Sequence, residues 1–246
     1  MKFIWRQFFL CFIAWKVWWY FFQEERQVRL CFYRNGKFQS RDRAFKKIYR
    51  FKNPYRMNKK FLRSMGIQEV DTYGETPLTT LYSIAKQCEI TSQDHFIDLG
   101  CGRGRGTFFL NDYFGCRTTG IEWNPEFVAN AKKLAATGAS LAPEFICTDM
   151  LSADLSKATV IYLFGTCLPD PIIEKLAESF ARLPRSTKII TVSFPLSDYS
   201  KAFKEIKEFT GSFPWGEGSI YLNQRTEKST ETELTTVPRS SCKTLS

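Results

Sequence analysis

The sequence predicts an α/β fold: a mostly parallel sheet covered by helices on both faces, preceded by an apolar helix and a basic segment. Three observations predict it. Between about residue 77 and residue 225, short apolar runs alternate with segments of helical period, the pattern of strand–helix–strand crossovers. The first of these runs ends in an acid and turns at once on closely spaced glycines, FIDLGCGRGRG (96–106). The next two runs also end in acids, Glu122 and Asp149.

The chain opens on FIWRQFFLCFIAWKVWWYFF (3–22), apolar but for Arg6, Gln7 and Lys16. As a helix it is long enough to span a bilayer, although Lys16 within the span costs up to about 3 kcal/mol. Lys2, Arg6, Lys16 and Gln23 share a sector of about 100° on a helical wheel, so the same helix equally suits the membrane interface with its aromatics buried. Packing against the following domain is the third reading. A cleaved signal peptide is disfavoured, because Gln23-Glu24-Glu25-Arg26 offers no small-residue site. A mitochondrial presequence is disfavoured because residues 1–23 lack serine and are too uniformly apolar.

From Arg26 to Arg63 there are fourteen lysines and arginines and one acid, Asp42, against a whole-chain charge of +10. The excess positive charge therefore lies in this stretch, and the remainder is net acidic. Directly after an apolar helix, such a stretch suits anionic headgroups and sets the following domain on the cytoplasmic side or its organellar equivalent. Its interleaved rings, Phe32, Tyr33, Phe38, Phe45, Tyr49, Phe51 and Tyr55, make a nucleic-acid surface over 26–63 the rival reading. Phe45, Ile48 and Tyr49 also fit one face of a helix docked on the domain.

In DTYGETPLTTLYSIA (71–85), Gly74 turns the chain and Pro77 starts a helix that Thr76 can cap. Phe96, Ile97 and Leu99 make the first strand, and a helix follows from Thr107. A second strand ends in Glu122; Asn124 caps the helix that begins at Pro125, and Gly138 closes it. EFICTDM (144–150) is the third strand, ATVIYLF (158–164) the fourth, KIITVSF (188–194) the fifth and GSIYLNQR (218–225) a late one. Between the fourth and fifth, Asp170 caps a helix that Pro171 opens. The run from Thr226 to Ser246 has almost no large apolar residues and reads as a flexible tail. The implied organisation is an apolar membrane-associated or transmembrane helix over 1–25, a basic aromatic-rich segment over 26–66, a catalytic domain over 67–225 and the tail over 226–246.

A glycine-rich turn after a strand serves several nucleoside cofactors. Dinucleotides bring a pyrophosphate that seeks N–H groups and cations, whereas acids at three successive strand ends suit a cation. The pattern favours S-adenosylmethionine, with Asp98, Gly100, Gly102 and Gly104 at the turn. Glu122, beside Trp123 and Asn124, is placed for ribose hydroxyls, and Asp149 with Met150 for the adenine. Tyr73, Glu75 and Thr76 belong to a loop that can fold over the methionine end.

On these residues the chain resembles the class I S-adenosylmethionine-dependent methyltransferases, whose first motif is acid-x-Gly-x-Gly-x-Gly; the resemblance implies a Rossmann-like, seven-stranded sheet. YGET (73–76), GIEWNPEF (120–127), VIYLFG (160–165) and IITVSFP (189–195) are similar to two lysine methyltransferase groups. One is the histone lysine methyltransferases without a SET domain, the other the membrane-associated methyltransferases of the ATP-synthase c-subunit type. The paired asparagines of the histone group are replaced here by Tyr162 to Thr166, and the Asp/Asn-Pro-Pro-aromatic tetrad of amide and amino-base methyltransferases is absent. A protein lysine is therefore the expected acceptor, with Tyr162, Phe164 and Phe194 as channel walls and Thr166 as hydrogen-bond partner. RNA methylation with the basic arm on phosphate is the alternative, and a non-enzymatic cofactor-binding adaptor at the membrane the third.

The eight cysteines form no Cys-x-x-Cys and the single histidine is His95, so no metal site is expected. Cys167 as a nucleophile is disfavoured, since Thr166 precedes it where RNA cytosine methyltransferases commonly carry proline.

Overall fold

The computed structural model describes residues 2–68, 73–137 and 141–226, with side chains from Ile13 onward. Seven strands, β1 (His95–Leu99), β2 (Arg117–Glu122), β3 (Glu144–Cys147), β4 (Val160–Leu163), β5 (Lys188–Val192), β6 (Phe203–Phe213) and β7 (Gly216–Arg225), form one sheet in the order β3-β2-β1-β4-β5-β7-β6. β1 to β5 pair in parallel, while β7 runs antiparallel to both β5 and β6. The winding reverses between β1 and β4, so a crevice opens beyond their carboxyl ends.

The helices are α1 (Lys2–Phe32), α2 (Gly36–Ile48), α3 (Pro54–Ser64), α4 (Leu78–Gln87), α5 (Arg105–Phe109), α6 (Pro125–Ala135) and α7 (Asp170–Phe180). The central strands are apolar throughout because both sheet faces are covered. One face packs β1, β4 and β5 through Phe96, Val160, Tyr162 and Ile190 against Leu81 and Ile84 of α4 and Phe109 of α5. The other packs Ile97, Ile161 and Ile189 against Ile173, Leu176 and Phe180 of α7. α5 runs on through a π-helical turn at Leu110–Phe114 that ends on Gly115 with φ of 73°.

The N-terminal helices are part of this packing. Val28 and Phe32 of α1 and Phe38 of α2 are buried in the first face, and Phe45 and Tyr49 pack with Phe108 and Phe127. Arg41 donates to Asp112 at 3.0 Å and to the Leu134 carbonyl, and its guanidinium lies over the Phe108 ring. α1 runs without interruption across residue 25 to Phe32. Its Glu24 accepts the Thr79 backbone N–H at 3.1 Å, so α1 caps the start of α4 from outside. Trp15, Trp18, Trp19, Phe21 and Phe22 remain exposed. Among the described residues no helix is long and apolar enough to cross a membrane.

Several local expectations are corrected. Thr76 does not cap α4; the N-cap is Pro77, with no side-chain bond, and the Thr76 hydroxyl meets Tyr162 instead. Asp170 lies inside α7 rather than capping it, and accepts from the Tyr199 hydroxyl at 3.0 Å. Asn124 does cap α6, accepting from Glu126 N at 3.0 Å. β3 ends at Cys147, and Asp149 caps the 3-10 turn Met150–Ser152 by accepting from Leu151 N. β5 stops at Val192 because Ser193 takes a φ of 77°. The closing Gly138 and the tail beyond Thr226 lie outside the described residues.

Candidate active site

Two adjoining cavities lie at the carboxyl ends of β1, β2 and β4. The larger, about 740 Å³, is bounded by Gly100, Glu122, Trp123, Asp149, Met150 and Phe164 among others. The smaller, about 320 Å³, is bounded by Glu75, Asp98, Arg103, Arg105 and Tyr162, and by Phe21, Glu24 and Glu25 of α1. Gly74, Gly100 and Phe164 border both. The first is a largely apolar space bordered by the carboxylates of Glu122 and Asp149, and the second is small and charged.

The glycine loop shapes both. Gly100, Gly102 and Gly104 have φ of 80°, 55° and 81°, a region side chains avoid. A Cβ on Gly102 would meet the Tyr73 ring at 3.2–3.6 Å, and one on Gly104 would meet Phe145 at 2.5 Å. Tyr73 thus lies over the loop, against Phe127 with ring centroids 5.5 Å apart.

Asp98, at the end of β1, is buried; Thr107 Oγ1 donates to it at 2.9 Å, and no cation of the described residues pairs with it. Burial, aided by the charges of Glu122 and Glu75, pushes its carboxyl up to about 7. A buried acid facing a cavity without a counter-ion is built to receive a cation. Glu122 accepts Gly102 N at 2.9 Å and Asn124 N at 2.7 Å; burial raises its carboxyl against the pull of those amides.

Glu75 accepts Arg103 Nε at 2.6 Å and also the Tyr73 hydroxyl. Burial alone would raise Glu75, but the Arg103 charge and hydrogen bonds hold it below its usual value. Arg103, between two glycines of the turn, lies over the rings of Phe45 and Tyr49 at 5.0 and 4.9 Å. Arg105 donates through Nε to Asp42 at 2.8 Å and pairs through Nη1 with Glu25 at 2.7 Å. Burial would raise Asp42 too, but Arg105 and Lys46 outweigh it and hold the carboxyl at about 2.

At the end of β4, Phe164 packs on Phe213 and on Trp215, at 5.8 and 5.6 Å between ring centroids. Trp215, at the tip of the β6–β7 hairpin, stacks on Phe213 at 4.9 Å and 7°. Tyr162 is buried, and burial lifts its phenol far above the ordinary range. Across the larger cavity, Phe61 of α3 meets Trp123 edge-on at 5.4 Å.

The structure thus gathers Tyr73, Gly100, Gly102, Glu122, Trp123, Asp149, Met150, Phe164 and Thr166 around the larger cavity and Glu75, Thr76, Asp98 and Tyr162 around the smaller. Gly104 and Asn124 shape the loop and the helix start without lining either. Phe194 is corrected: it is buried behind Gly165 and against Tyr199, in the core of the α7 face, and not on a channel wall. Sequence reasoning missed Arg103 and Arg105, the α3 wall and Trp215. The arginines had a signal, charge where a phosphate-free loop needs none, but their partners are distant in sequence.

These residues fit S-adenosylmethionine. The positive-φ glycines leave backbone free for close approach, the unpaired Asp98 meets a cationic centre, Glu122 retains lone pairs for hydroxyls, and Trp123 and Met150 wall a flat base.

Comparison with known proteins agrees. Residues 98–202 match the family described as the ANTKMT methyltransferase domain. No curated protein matches the sequence. Among solved structures, the chain is similar to an RNA methyltransferase from Salinibacter ruber in complex with S-adenosyl-L-homocysteine, at 22% identity, TM-score 0.52, over 68% of this chain and 98% of that one. It is similar to TrmN from Thermus thermophilus at 11% identity and TM-score 0.53, over 62% of this chain and 50% of that one. A third is magnesium protoporphyrin IX methyltransferase from Synechocystis PCC 6803 with bound SAM, at 14% identity, TM-score 0.50, over 71% and 98%. These low identities establish a Rossmann-like fold shared with methyltransferases, and the family match covers residues 98–202, from Asp98 at the end of β1 through β5.

Proposed function

We propose that the chain is a class I S-adenosylmethionine-dependent methyltransferase and that the methyl group goes to the side-chain amine of a protein lysine. The observation that carries this reading is the aromatic corner of Phe164, Phe213 and Trp215 at the end of β4, where the two cavities meet. S-adenosylmethionine supplies a methyl group activated on a sulfonium. The chain has to bring a neutral amine in line with it and keep water out.

A lysine in water has a pKa of about 10.4 and is almost wholly protonated at neutral pH. Apolar rings around the nitrogen disfavour the ammonium form. Tyr162, its phenol pushed up by burial and its hydroxyl held against Thr76, stays neutral and serves as a hydrogen-bond partner rather than a base. The proton then leaves by water. No Asp/Asn-Pro-Pro-aromatic run grips a planar amide here, and the name of the matched family suggests protein-lysine methylation. Thr166 borders the larger cavity and is the second polar contact for the nitrogen.

The same reading sets the enzyme on a membrane surface on the cytoplasmic or equivalent organellar side. Trp15 and Trp18 are 54% and 59% exposed, and Trp18 stacks on Phe22 at 5.7 Å, an aromatic ridge suited to the interface. The exposed cations Arg43, Lys47 and Arg50 of the α2 region and Arg56, Lys60 and Arg63 of α3 suit anionic headgroups. They equally favour RNA as the rival acceptor, the substrate class named for the Salinibacter ruber structure.

Transfer of labelled methyl to a lysate decides. Protease-sensitive, RNase-resistant label recovered as methyl-lysine, and lost in Asp98→Ala and Glu122→Ala, is the expected result; RNase-sensitive label refutes the lysine assignment. Flotation with anionic vesicles tests the membrane reading, which fails if Trp18→Ser with Trp19→Ser floats as well as wild type.

A further inference from the structure

The two arginines of the glycine turn point away from the larger cavity and into the N-terminal segment. Arg105 opens α5, directly after Gly104, and is held by Asp42 of α2 through two hydrogen bonds at 2.8 and 3.1 Å and by Glu25 of α1 at 2.7 Å. Lys46 closes the cluster, pairing with Asp42 at 2.8 Å and with Glu25. Tyr33 donates to Asp42 at 2.7 Å and accepts from Lys46 at 3.0 Å. Asp42 has no exposed side-chain surface, so its charge is fully committed.

Glu25 and Arg105 also border the smaller cavity, together with Glu24, Glu75, Asp98 and Arg103. That cavity is the charged one, and its size and mixed charges suit an amino-acid tail with an ammonium and a carboxylate. The larger, mostly apolar cavity suits the nucleoside. α1 and α2 therefore supply both a wall of the tail cavity and the anchors of the loop that frames it.

We infer that Glu25 and Asp42 are positioning residues for cofactor binding: through Arg105 they fix the glycine turn and the wall of the tail cavity, making the N-terminal helices a working part of the cofactor site. The inference rests on the S-adenosylmethionine reading. Neither carboxylate needs to touch the reacting atoms. A buried ion pair that loses one partner leaves the other charge uncompensated, so Arg105 would shift and take the first turn of α5 with it.

The test uses full-length protein and two ligands: S-adenosylhomocysteine, which carries the amino-acid tail, and 5′-methylthioadenosine, which lacks it. Calorimetry on Glu25→Gln and Asp42→Asn should show the Kd for S-adenosylhomocysteine raised at least tenfold, and that for 5′-methylthioadenosine changed less than threefold. Glu25→Asp, which keeps the charge, should recover most of the loss. Lys52→Ala, which breaks the exposed Lys52–Glu126 pair, should leave both values at wild type. Equal weakening of both ligands would mean general loosening and overturn the inference, as would unchanged affinity in a folded variant. Should Asp42→Asn fail to fold, Glu25→Gln on the partly exposed side of the cluster decides alone. Failure of wild type to bind either ligand would instead sink the cofactor assignment itself.

Discussion

Asp98→Asn should make the ligand-free protein more stable and the cofactor site weaker. Burial lifts the Asp98 carboxyl from 3.8 to about 7, a difference on the order of 4 kcal/mol between its two protonation states. The sign follows from the direction. A group raised in the folded state adds stability that is fully present below pH 3.8 and is lost as the pH rises through about 7. At pH 8 the ligand-free wild type carries an ionised, buried, unpaired carboxylate. Asparagine keeps the shape and an acceptor for Thr107 but removes the charge. For a chain of this size each kcal/mol moves the melting temperature by roughly 2–4 °C, so the variant gains up to about 8–16 °C at pH 8 and close to nothing at pH 4. Ligand binding moves the other way: without the carboxylate to face a cationic centre, the Kd for S-adenosylmethionine should rise roughly 10- to 100-fold, the equivalent of a lost charged hydrogen bond. Thermal unfolding of the ligand-free proteins from pH 4 to 8, with calorimetric titration at pH 8, measures both. A stability difference that does not grow with pH, or a variant that binds as tightly as wild type, refutes the reasoning.

Three further outcomes follow from the same structure. The Asp42 carboxyl is held at about 2, below its ordinary 3.8, so its stabilisation is present above pH 3.8 and drains away as the pH falls towards 2; acid unfolding of Asp42→Asn should lack about 2 kcal/mol of that dependence. Gly104→Ala forces a side chain into φ of 81° and against Phe145, and chemical denaturation should show a loss of about 2–5 kcal/mol. Trp215→Ala opens the aromatic corner above Phe164 without touching the carboxylates; methyl transfer should slow at least tenfold while the Kd for S-adenosylhomocysteine stays within threefold.

The central strands and the three acids could be read from sequence because each depends on local signals. A strand covered on both faces must be a continuous apolar run, and glycines at positive φ must follow it directly. β6 escaped for the opposite reason: it is an edge strand with most of its side chains in water and a register shift between Glu205 and Lys207, so neither an apolar run nor a clean alternation marks it. Capping expectations failed where tertiary partners outbid the local backbone. Thr76 goes to Tyr162, Asp170 to Tyr199, and the start of α4 takes its acceptor from Glu24, fifty-five residues upstream. Phe194 read as a cavity wall because its strand runs to the site, but the left-handed Ser193 turns the chain before it. The anchoring of Arg105 was beyond the sequence altogether, since Glu25 closed the apolar segment and Asp42 was the one acid of a basic stretch that read as a headgroup or phosphate surface.

No glycine or proline interrupts α1 between Lys2 and Phe32, and the rise of 1.5 Å per residue sets Trp15 about 20 Å along the axis from Val28. The helix is a stiff boom, moored around Val28 and Phe32 and presenting Trp15, Trp18 and Trp19 at the surface further upstream. Any surface that grips the tryptophans dictates the bearing at which the crevice beyond the strand ends faces its surroundings, and the set of targets within reach becomes a matter of aim as well as of shape.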